Sequence, residues 1–122
     1  MIFKQTKFDV MDNSGALEVQ LIGSIKQQKY ASHVGSLITV SVKRAIPKKK
    51  VKIGDVKQAL IVQTKKKINR FGQGYELTFE QNQVVLMSKP DAPLATRLKG
   101  IVTQELRYFK QMKLLSMSNY II

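Results

Sequence analysis

Cysteine and tryptophan are absent from this 122-residue sequence, and histidine occurs once. Without cysteine the chain cannot form a disulfide, and the usual nitrogen and sulfur ligand sets for zinc cannot assemble. The single histidine, His33, lies in a polar stretch with no second histidine to complete a metal pair, which favours a solvated loop position. The sequence therefore predicts neither a metal site nor any other cofactor.

Long apolar runs are also missing. Stretches such as "ALIV" and "VVLM" are far shorter than the roughly 20 residues with which a helix crosses a bilayer. The first ten residues, "MIFKQTKFDV", have neither the apolar core of a signal peptide nor the Arg- and Ser-rich character of a transit peptide. We therefore expect no membrane insertion and a chain that works in the compartment where it is made.

Arrangements of catalytic residues are sparse. Asp9 with Asp12, and Glu76 with Glu80, are conceivable acid–base pairs, but the sequence places no nucleophile or oxyanion donor near them. The two glycines of "FGQG" resemble part of a phosphate-binding loop, yet they occupy a predicted hairpin tip and not a strand-to-helix junction. The sequence predicts that the protein is not an enzyme.

Positive charge is abundant. Lys and Arg number 21 against 8 Asp and Glu, which gives a formal net charge of +13 at pH 7. Such self-repulsion costs folding stability unless a polyanion relieves it. An anionic membrane could do so, but a bound helix needs a strong apolar face, and the C-terminal segment requires its apolar side for the core. Nucleic acid is therefore the favoured partner.

The apolar residues recur mostly with the period of β-strands, and Gly, Pro, Asn and Asp interrupt them at short intervals. Strands are predicted in "ALEVQLIGSI", "LITVSVKRAI", "DVKQALIVQTKKK", "YELTFEQ" and "NQVVLMS". The third and fourth of these form a basic hairpin with its tip at "FGQG". Alternation predicts a β-core of nine residues: Val19, Leu21, Ile38, Val40, Val42, Leu60, Val62, Val84 and Leu86.

After Gly100 the pattern changes from strand to helix. Four apolar residues recur at helical spacing: Leu106, Phe109, Met112 and Leu115. Thr103 occupies a capping position, and Glu105 lies in the first turn, where the helix dipole favours a carboxylate. One or two short helices are predicted to close the domain.

The basic residues gather in three clusters. These are the "AIPKKKVKIGD" connection, the hairpin arm from Lys65 to Arg70, and a C-terminal set of Arg97, Lys99, Arg107, Lys110 and Lys113. Each cluster alone is typical of a solvated face, but three in one chain favour contact with a phosphate backbone. Aromatic residues make up only 7% of the chain, so platforms for splayed single-stranded bases are scarce. The composition favours folded RNA that is recognised by its shape.

Four stretches occur in this order along the chain: "QTKFDVMDNSGA", "VGSLITVSVKRAIPKKKVKIGDVKQALIVQTKKK", "NQVVLMS" and "ATRLKGIVTQELR". They resemble the successive motifs of the universal large-subunit ribosomal protein fourteen family, from the first residue of the chain to the last. The resemblance implies a mainly β fold, with a small five-stranded β-barrel, a projecting β-hairpin and one or two short C-terminal helices. The chain would be one domain, residues 1–122, with the barrel and basic hairpin in 1–88 and a loop and the helices in 89–122.

The resemblance also implies a function, that of a structural constituent of the large ribosomal subunit at the face that meets the small subunit. Implied partners are large-subunit rRNA, small-subunit rRNA across the interface, neighbouring large-subunit proteins and a ribosome-silencing factor that blocks subunit joining. Charge and resemblance together predict these rRNA contacts: Asn13, Ser14, Lys43, Arg44, Lys48, Lys49, Lys50, Lys52, Lys65, Lys66, Lys67, Arg70, Arg107 and Lys110. The residues that match the family's partner surface are Thr96, Arg97, Lys113 and Ser116.

Alternatives stay open at two of these places. In the "DNSG" turn, small side chains and Gly15 would let RNA approach the backbone, but a plain structural turn explains the same residues. Arg97 could grip a partner, or it could pair with a local carboxylate such as Glu105. For the whole protein, the alternative is a free-standing RNA-binding factor outside the ribosome.

The chain departs from the family pattern at three positions, where Ala95 replaces a glycine, Ile101 a proline and Gln104 an arginine. Lysine outnumbers arginine 17 to 4, and isoleucine and glutamine are frequent, a bias typical of an A/T-rich genome. This composition favours an organelle-encoded protein of the mitochondrial matrix, with the plastid or the bacterial cytoplasm as alternatives.

Overall fold

The structure, a computed structural model, describes residues 2–24, 33–70 and 72–122. The strands in these residues are β1 (Lys7–Val10), β2 (Ala16–Ser24), β3 (Leu37–Ala45), β4 (Val56–Gln63), β5 (Ile68–Arg70), β6 (Tyr75–Leu77), β7 (Gln83–Lys89), β8 (Ala92–Pro93), β9 (Ile101–Val102) and β10 (Tyr120–Ile121). The helices are a 3-10 helix (Gln104–Arg107) and α1 (Met112–Met117). No helix in the described ranges has the length and apolar character that crossing a membrane requires.

Five strands close into a barrel in the order β1, β2, β3, β4, β7. Neighbouring strands run antiparallel, except that β1 and β7 pair in parallel, with Asp9 opposite Gln83 and Val10 opposite Val84. This parallel pairing joins the first and last strands of the barrel. The predicted mainly β fold with a five-stranded barrel and short C-terminal helices is confirmed.

Alternate residues of the barrel strands fill the barrel interior. Phe8, Val19, Val40, Ile61 and Leu86 are at most 1% exposed and belong to one apolar cluster. In β3 the burial alternates residue by residue over its first six positions, as the sequence pattern predicts. The interior is therefore a packed apolar core.

A second apolar cluster covers the outer side of β4 and β7. Leu60, Val62 and Val85 pack there against Leu106 and Leu114 of the C-terminal segment. Strand β4 is thus buried on both faces, which explains why its centre is a continuous apolar run. All nine residues of the predicted core are buried, and the structure divides them between these two clusters.

The basic hairpin forms its own two-stranded sheet. In it, β5 and β6 pair antiparallel, with Ile68 opposite Leu77. Gly72 and Gly74 near its tip have φ values of 86° and 71°, which glycine adopts without a Cβ clash. The strands are shorter than the sequence runs suggested, because residues 65–67 lie in the connection between β4 and β5. Phe71, which belongs to the predicted tip, lies outside the described residues.

The C-terminal segment changes direction at Lys110, which has a φ of 59°. The Lys110 N–H donates to the Arg107 carbonyl, and the Gln111 N–H donates to the Leu106 carbonyl, both at 3.1 Å. This pair of bonds is the Schellman arrangement that ends a helix. Helix α1 therefore starts anew after the break.

This break overturns part of the predicted helical face. Leu106 and Leu115 are buried as predicted, but Phe109 and Met112 are 42% and 59% exposed, so their assignment to the core is wrong. The phase set by the first helix does not carry into α1, where Leu114 is buried instead. Thr103 occupies the N-cap position, as predicted, but its side chain makes no capping hydrogen bond.

One predicted loop contains a short strand, and another lies mostly outside the described residues. The loop predicted at the start of residues 89–122 contains β8, which pairs with β7 at the edge of the sheet, where a proline is tolerated. The polar loop predicted after β2 falls mostly in residues 25–32, outside the described residues. Its last part forms a turn in which the His33 N–H donates to Ser36 Oγ at 3.2 Å.

Candidate nucleic-acid interface

The connection between β3 and β4, residues 46–55, is termed the lysine loop. Its four lysine side chains are exposed: Lys48, Lys49, Lys50 and Lys52. Val51 is buried between them, and Asp55 accepts a hydrogen bond from the Lys52 N–H at 3.1 Å. Within the described ranges, none of the four ammonium groups forms an ion pair with a carboxylate. The loop is thus anchored to the barrel while its charges face outward.

The "DNSG" turn, residues 12–15, lies against the barrel wall. Asp12 is buried, and its carboxylate accepts hydrogen bonds from the Ser14 N–H at 3.0 Å and from the Leu86 N–H at 2.9 Å. The Ser14 hydroxyl also donates to Asp12, and Ser14 is 2% exposed. Because its side chain is turned inward, Ser14 does not offer its hydroxyl to an outside ligand. These bonds support the structural interpretation of the turn.

Gly15 brings the turn and the lysine loop into contact. Its φ is +108°, and a Cβ at this position would lie 2.3 Å from Lys49 Cβ and 2.8 Å from Lys49 Cγ. The Ile46 N–H donates to the Gly15 carbonyl at 2.8 Å. The space beside Gly15 is therefore filled by the aliphatic part of Lys49, which favours the structural interpretation of the turn over an approach of RNA to the backbone. Glycine is needed here for a contact within the chain.

Asn13 joins the same turn to the predicted partner surface. Its side-chain oxygen accepts from the backbone N–H groups of Thr96 and Arg97 at 3.2 and 3.3 Å, and its amide donates to Thr96 Oγ1 at 3.1 Å. The Lys99 N–H donates to the Met11 carbonyl at 2.6 Å. The side chains of Arg97 and Lys99 remain exposed. The turn thus lies between the lysine loop and residues 96–99.

Two further predicted cations lie at the end of β3. Lys43 and Arg44 are both exposed. One Arg44 nitrogen is 3.9 Å from a carboxylate oxygen of Glu18, whose other oxygen is 3.1 Å from Lys7 Nζ. A single carboxylate is therefore shared by two cations, which leaves this part of the surface positive.

The hairpin arm carries three exposed lysines, Lys65, Lys66 and Lys67. Lys67 Nζ is 2.7 Å from a carboxylate oxygen of Glu76 across the hairpin. The hydrogen bond to Glu76 and its negative charge raise the pKa of Lys67. Lys65 and Lys66 form no ion pair with the described carboxylates, so they are the free cations of this arm.

Arg70 differs from the other predicted rRNA contacts, because its side chain is only 6% exposed. Its Nε donates to Glu105 Oε1 at 2.6 Å and its Nη2 to Glu105 Oε2 at 3.0 Å. The guanidinium also donates to the Tyr75 hydroxyl at 2.9 Å and to the Ile122 carbonyl at 2.7 Å. Since its donors are engaged within the chain, the prediction of a direct rRNA contact by Arg70 is not supported.

The ion pair between Arg70 and Glu105 shifts the pKa values of both residues. The hydrogen bonds to Glu105 raise the pKa of Arg70 above its usual value, although burial opposes the shift. Partial burial by itself would raise the pKa of Glu105, but the hydrogen bonds and charge of Arg70 outweigh it and hold the pKa below its usual value. The hypothesis that Arg97 pairs with Glu105 is wrong, because Glu105 is bound to Arg70.

The remaining predicted residues lie along the C-terminal segment, and all are exposed: Arg107, Lys110, Lys113 and Ser116. On α1 the Ser116 hydroxyl donates to the Lys113 carbonyl at 2.7 Å. The Gln111 side chain donates to the Pro90 carbonyl at 3.1 Å, which attaches the start of α1 to the loop after β7. No group of three or more His, Asp or Glu side chains suited to a metal ion occurs in the described part of the chain.

The sequence did not indicate which residues pair across the molecule at this surface. Asn13 and Thr96 are 83 residues apart, and the partner of Gly15 is a lysine stem in another loop. The "DNSG" pattern signals a turn, but nothing in it identifies residues 96 and 97 as the groups that Asn13 binds. The missing information is long-range contact.

Fold and surface together define a small basic β-barrel protein, in which anchored loops present unpaired lysines. The family model described as ribosomal protein L14p/L23e matches residues 1–122, and the chain therefore belongs to this family. Its members are structural constituents of the large ribosomal subunit and not enzymes. The resemblance stated from the sequence motifs is thereby confirmed, and the full-length match favours a ribosomal constituent over a free-standing factor.

Proposed function

We propose that this large-subunit protein binds rRNA phosphates chiefly through the lysine loop. The observation that carries the proposal is the exposure of its lysines without ion-pair partners among the described carboxylates, on a loop that packs against Gly15. A surface lysine without a partner costs little in water but gains strongly from a phosphate, because a condensed counterion is released. The loop thus favours a polyanion over a neutral ligand.

The lysine loop acts through both charge and position. The contact between Gly15 and Lys49 and the bond from Lys52 to Asp55 order the backbone before any ligand arrives. An ordered loop loses less conformational entropy on binding than a flexible one, so more of the electrostatic gain remains as affinity. Phosphate contacts of this kind orient a protein on RNA without selecting a sequence.

The hairpin arm supplies a second set of contacts in this proposal, through Lys65 and Lys66. Other exposed predicted cations extend the surface: Lys43, Arg44, Lys67, Arg107 and Lys110. Arg70, Ser14 and Asn13 contribute indirectly, since their polar groups hold the hairpin and the turn in place. The proposed binding surface is therefore smaller than the set of residues predicted from the sequence.

We further propose that the protein lies at the subunit interface, contributes to a bridge with small-subunit rRNA and contacts neighbouring large-subunit proteins. The proposed partner surface consists of Thr96, Arg97, Lys113 and Ser116, and it would also receive a ribosome-silencing factor. The bonds from Asn13 support this role of Arg97, because they pin its backbone while leaving its guanidinium exposed. A pinned, planar donor fork suits a carboxylate or a phosphate.

The compartment is proposed from composition. The ratio of 17 lysines to 4 arginines supports an organelle-encoded copy in the mitochondrial matrix. Fractionation of the source cells would test this proposal by locating the protein in mitochondrial large subunits, in plastid large subunits or in cytoplasmic ones.

The rRNA-binding proposal is tested by sedimentation with the large subunit over a series of salt concentrations. Replacing Lys48, Lys49, Lys50 and Lys52 by glutamine should leave the fold intact and release the protein at lower salt. The slope of log affinity against log salt should flatten by about 3 units, since up to four phosphate contacts are lost. A wild-type slope in this variant would contradict the proposal.

In the matched control, four lysines outside the three basic clusters are replaced by glutamine: Lys4, Lys7, Lys57 and Lys89. It has the same net charge as the loop variant. We expect a much smaller change, because counterion release depends on which charges meet phosphates. Equal losses in both variants would show that total charge, and not the lysine loop, governs attachment.

A further inference from the structure

A cavity of about 550 Å³ opens between the hairpin arm, the turn at residues 33–36 and the C-terminal segment. Ile2, Val34 and Ile68 contribute apolar wall, and the hairpin lysines line another side. Tyr108 and Phe109 line it from the C-terminal segment. Its volume lies within the roughly 300–1,000 Å³ of sites that bind small organic groups.

The Phe109 ring is held in place, although it is 42% exposed. It packs directly on the backbone of Gly35, where a Cβ would lie 2.2 Å from Cδ2 and 2.4 Å from Cε2 of the ring. The His33 ring lies beside it, with 6.3 Å between ring centroids. Tyr108 is 85% exposed and has room to adjust. The cavity therefore combines one fixed aromatic surface with one adaptable aromatic side chain.

The charges around the cavity favour an anion. Glu105 also lines it, but both oxygens of this carboxylate are bound to Arg70, at 2.6 and 3.0 Å. Lys67 is paired with Glu76. Lys65 and Lys66 are exposed and unpaired with any described carboxylate, so two positive charges stand free at the edge of an apolar, aromatic space.

We infer that this cavity receives one unpaired RNA base, packed against Tyr108 and Phe109, while Lys65 and Lys66 hold the adjoining phosphates. Aromatic platforms beside backbone-binding cations are the combination that captures single-stranded bases. An acidic protein segment would neutralise the charges of the lysines, but it would offer no flat group to pack against the apolar wall and the exposed rings. The inference rests on the proposed RNA-binding function and adds a site that binds a base in addition to phosphate.

The test uses the full-length protein and two single-stranded RNA hexamers, one with 2-aminopurine at its centre and one abasic at that position. The base-containing probe should bind more tightly than the abasic probe, with quenched 2-aminopurine fluorescence. Tyr108→Ala should weaken binding of the base-containing probe by about 5- to 150-fold, the range for one stacked base, and leave the abasic probe unaffected. Tyr108→Phe should retain binding, because the ring remains.

The matched control is Tyr120→Ala, which removes another exposed tyrosine, 69% exposed, from outside the cavity. It should bind both probes like the wild type. Phe109→Ala is a second probe of the cavity, provided that its unfolding transition stays cooperative, since this ring also packs on Gly35.

Equal affinity of the two probes for the wild-type protein would overturn the base site while leaving phosphate binding by the lysines intact. Loss of affinity for both probes in Tyr108→Ala would overturn it as well. If neither probe binds and rRNA attachment is insensitive to the lysine-loop variant, the proposed function itself fails. Displacement of the probes by a glutamate hexamer, with no preference for the base, would identify an acidic protein segment as the occupant.

Discussion

Gly15 and Lys110 both have positive φ, at 108° and 59°, but only one of them is a glycine. At Gly15 the missing Cβ makes room for the Lys49 stem. At Lys110 a full side chain occupies the left-handed position that closes a Schellman motif, where glycine is the usual residue. The left-handed conformation costs roughly 1–2 kcal/mol for a residue with a Cβ. Lys110 therefore ends the 3-10 helix at an energetic cost.

Lys110→Gly should raise the free energy of unfolding by about 1 kcal/mol, because glycine adopts the left-handed conformation without this strain. Urea unfolding followed by circular dichroism measures the change. Lys110→Gln is the control, since it removes the same charge and keeps the Cβ. A gain of equal size in both variants would mean that relief of charge repulsion, and not of backbone strain, is responsible.

Among the elements, a group of hydrogen bonds around Arg70, termed the clasp, joins the basic hairpin to the C-terminal segment. Arg70 of β5 binds Glu105 of the 3-10 helix, the Tyr75 hydroxyl of β6 and the Ile122 carbonyl. The Arg70 guanidinium also lies 5.6 Å from the centroid of the Tyr75 ring. The hairpin that carries Lys65 and Lys66 is therefore oriented by a buried arginine, which acts as a positioning residue for the proposed contacts.

Glu105→Gln should lower the free energy of unfolding by about 2 kcal/mol at pH 7, because a charge-assisted bidentate pair is replaced by weaker neutral bonds. The control, Glu76→Gln, removes an equal charge from the exposed pair with Lys67 and should have little effect, since water screens that pair. Urea unfolding of both variants decides the comparison. Equal effects would contradict the special role of the clasp.

The difference in unfolding free energy between wild type and Glu105→Gln should depend on pH, which gives a further measurement on the pair of Arg70 and Glu105. In the folded state the pKa of Glu105 is lowered from its ordinary value, because the hydrogen bonds and charge of Arg70 outweigh the opposing effect of partial burial. A carboxylate with a lowered folded pKa stabilises the protein above its unfolded pKa and loses that contribution as the pH falls through the folded value. The stability gap between wild type and Glu105→Gln should therefore be constant near pH 7 and shrink as the pH falls from the unfolded pKa of the carboxyl group to its lowered folded pKa.

At the scale of the whole molecule, contacts within the chain gather basic residues that are distant in sequence. Lys49 packs on Gly15, and Asn13 in the same turn binds the backbone of Arg97. The proposed rRNA surface and part of the proposed partner surface are therefore joined through one rigid turn. A partner at Arg97 and RNA at the lysine loop would be neighbours on the same protein.

Arg97→Glu should weaken subunit joining or binding of a silencing factor from the same source, because charge reversal repels an acidic or phosphate-bearing partner. Attachment to the large subunit should change little, since the lysine loop remains. Reassembly of purified subunits measures the first effect, and pull-down of the factor measures the second. Arg97→Lys keeps the charge and tests whether the planar fork matters. Unchanged joining and unchanged factor binding would exclude this partner surface.

Local pattern was enough to predict most strands and their buried faces. In β3 the alternation of apolar and polar residues identified Ile38, Val40 and Val42 as buried, and all three are 0% exposed. The same pattern could not show that Leu60 and Val62 face the second apolar cluster and not the barrel interior, because β4 is apolar on both faces. In the C-terminal segment, the helical period was extended past Lys110, where the backbone turns, so Met112 does not continue the buried face of Leu106 and is 59% exposed.

The sequence by itself determined the family, the β-barrel class and the excess of positive charge, because ordered motifs, strand periodicity and composition can be counted along the chain. The tertiary structure alone decided which charges are free. Arg70 and Lys65 belong to one basic run, yet Arg70 is bound to Glu105, 35 residues away, while Lys65 is exposed. Whether a charge is paired depends on which distant elements the closed fold brings within hydrogen-bonding distance, and no local pattern contains that information.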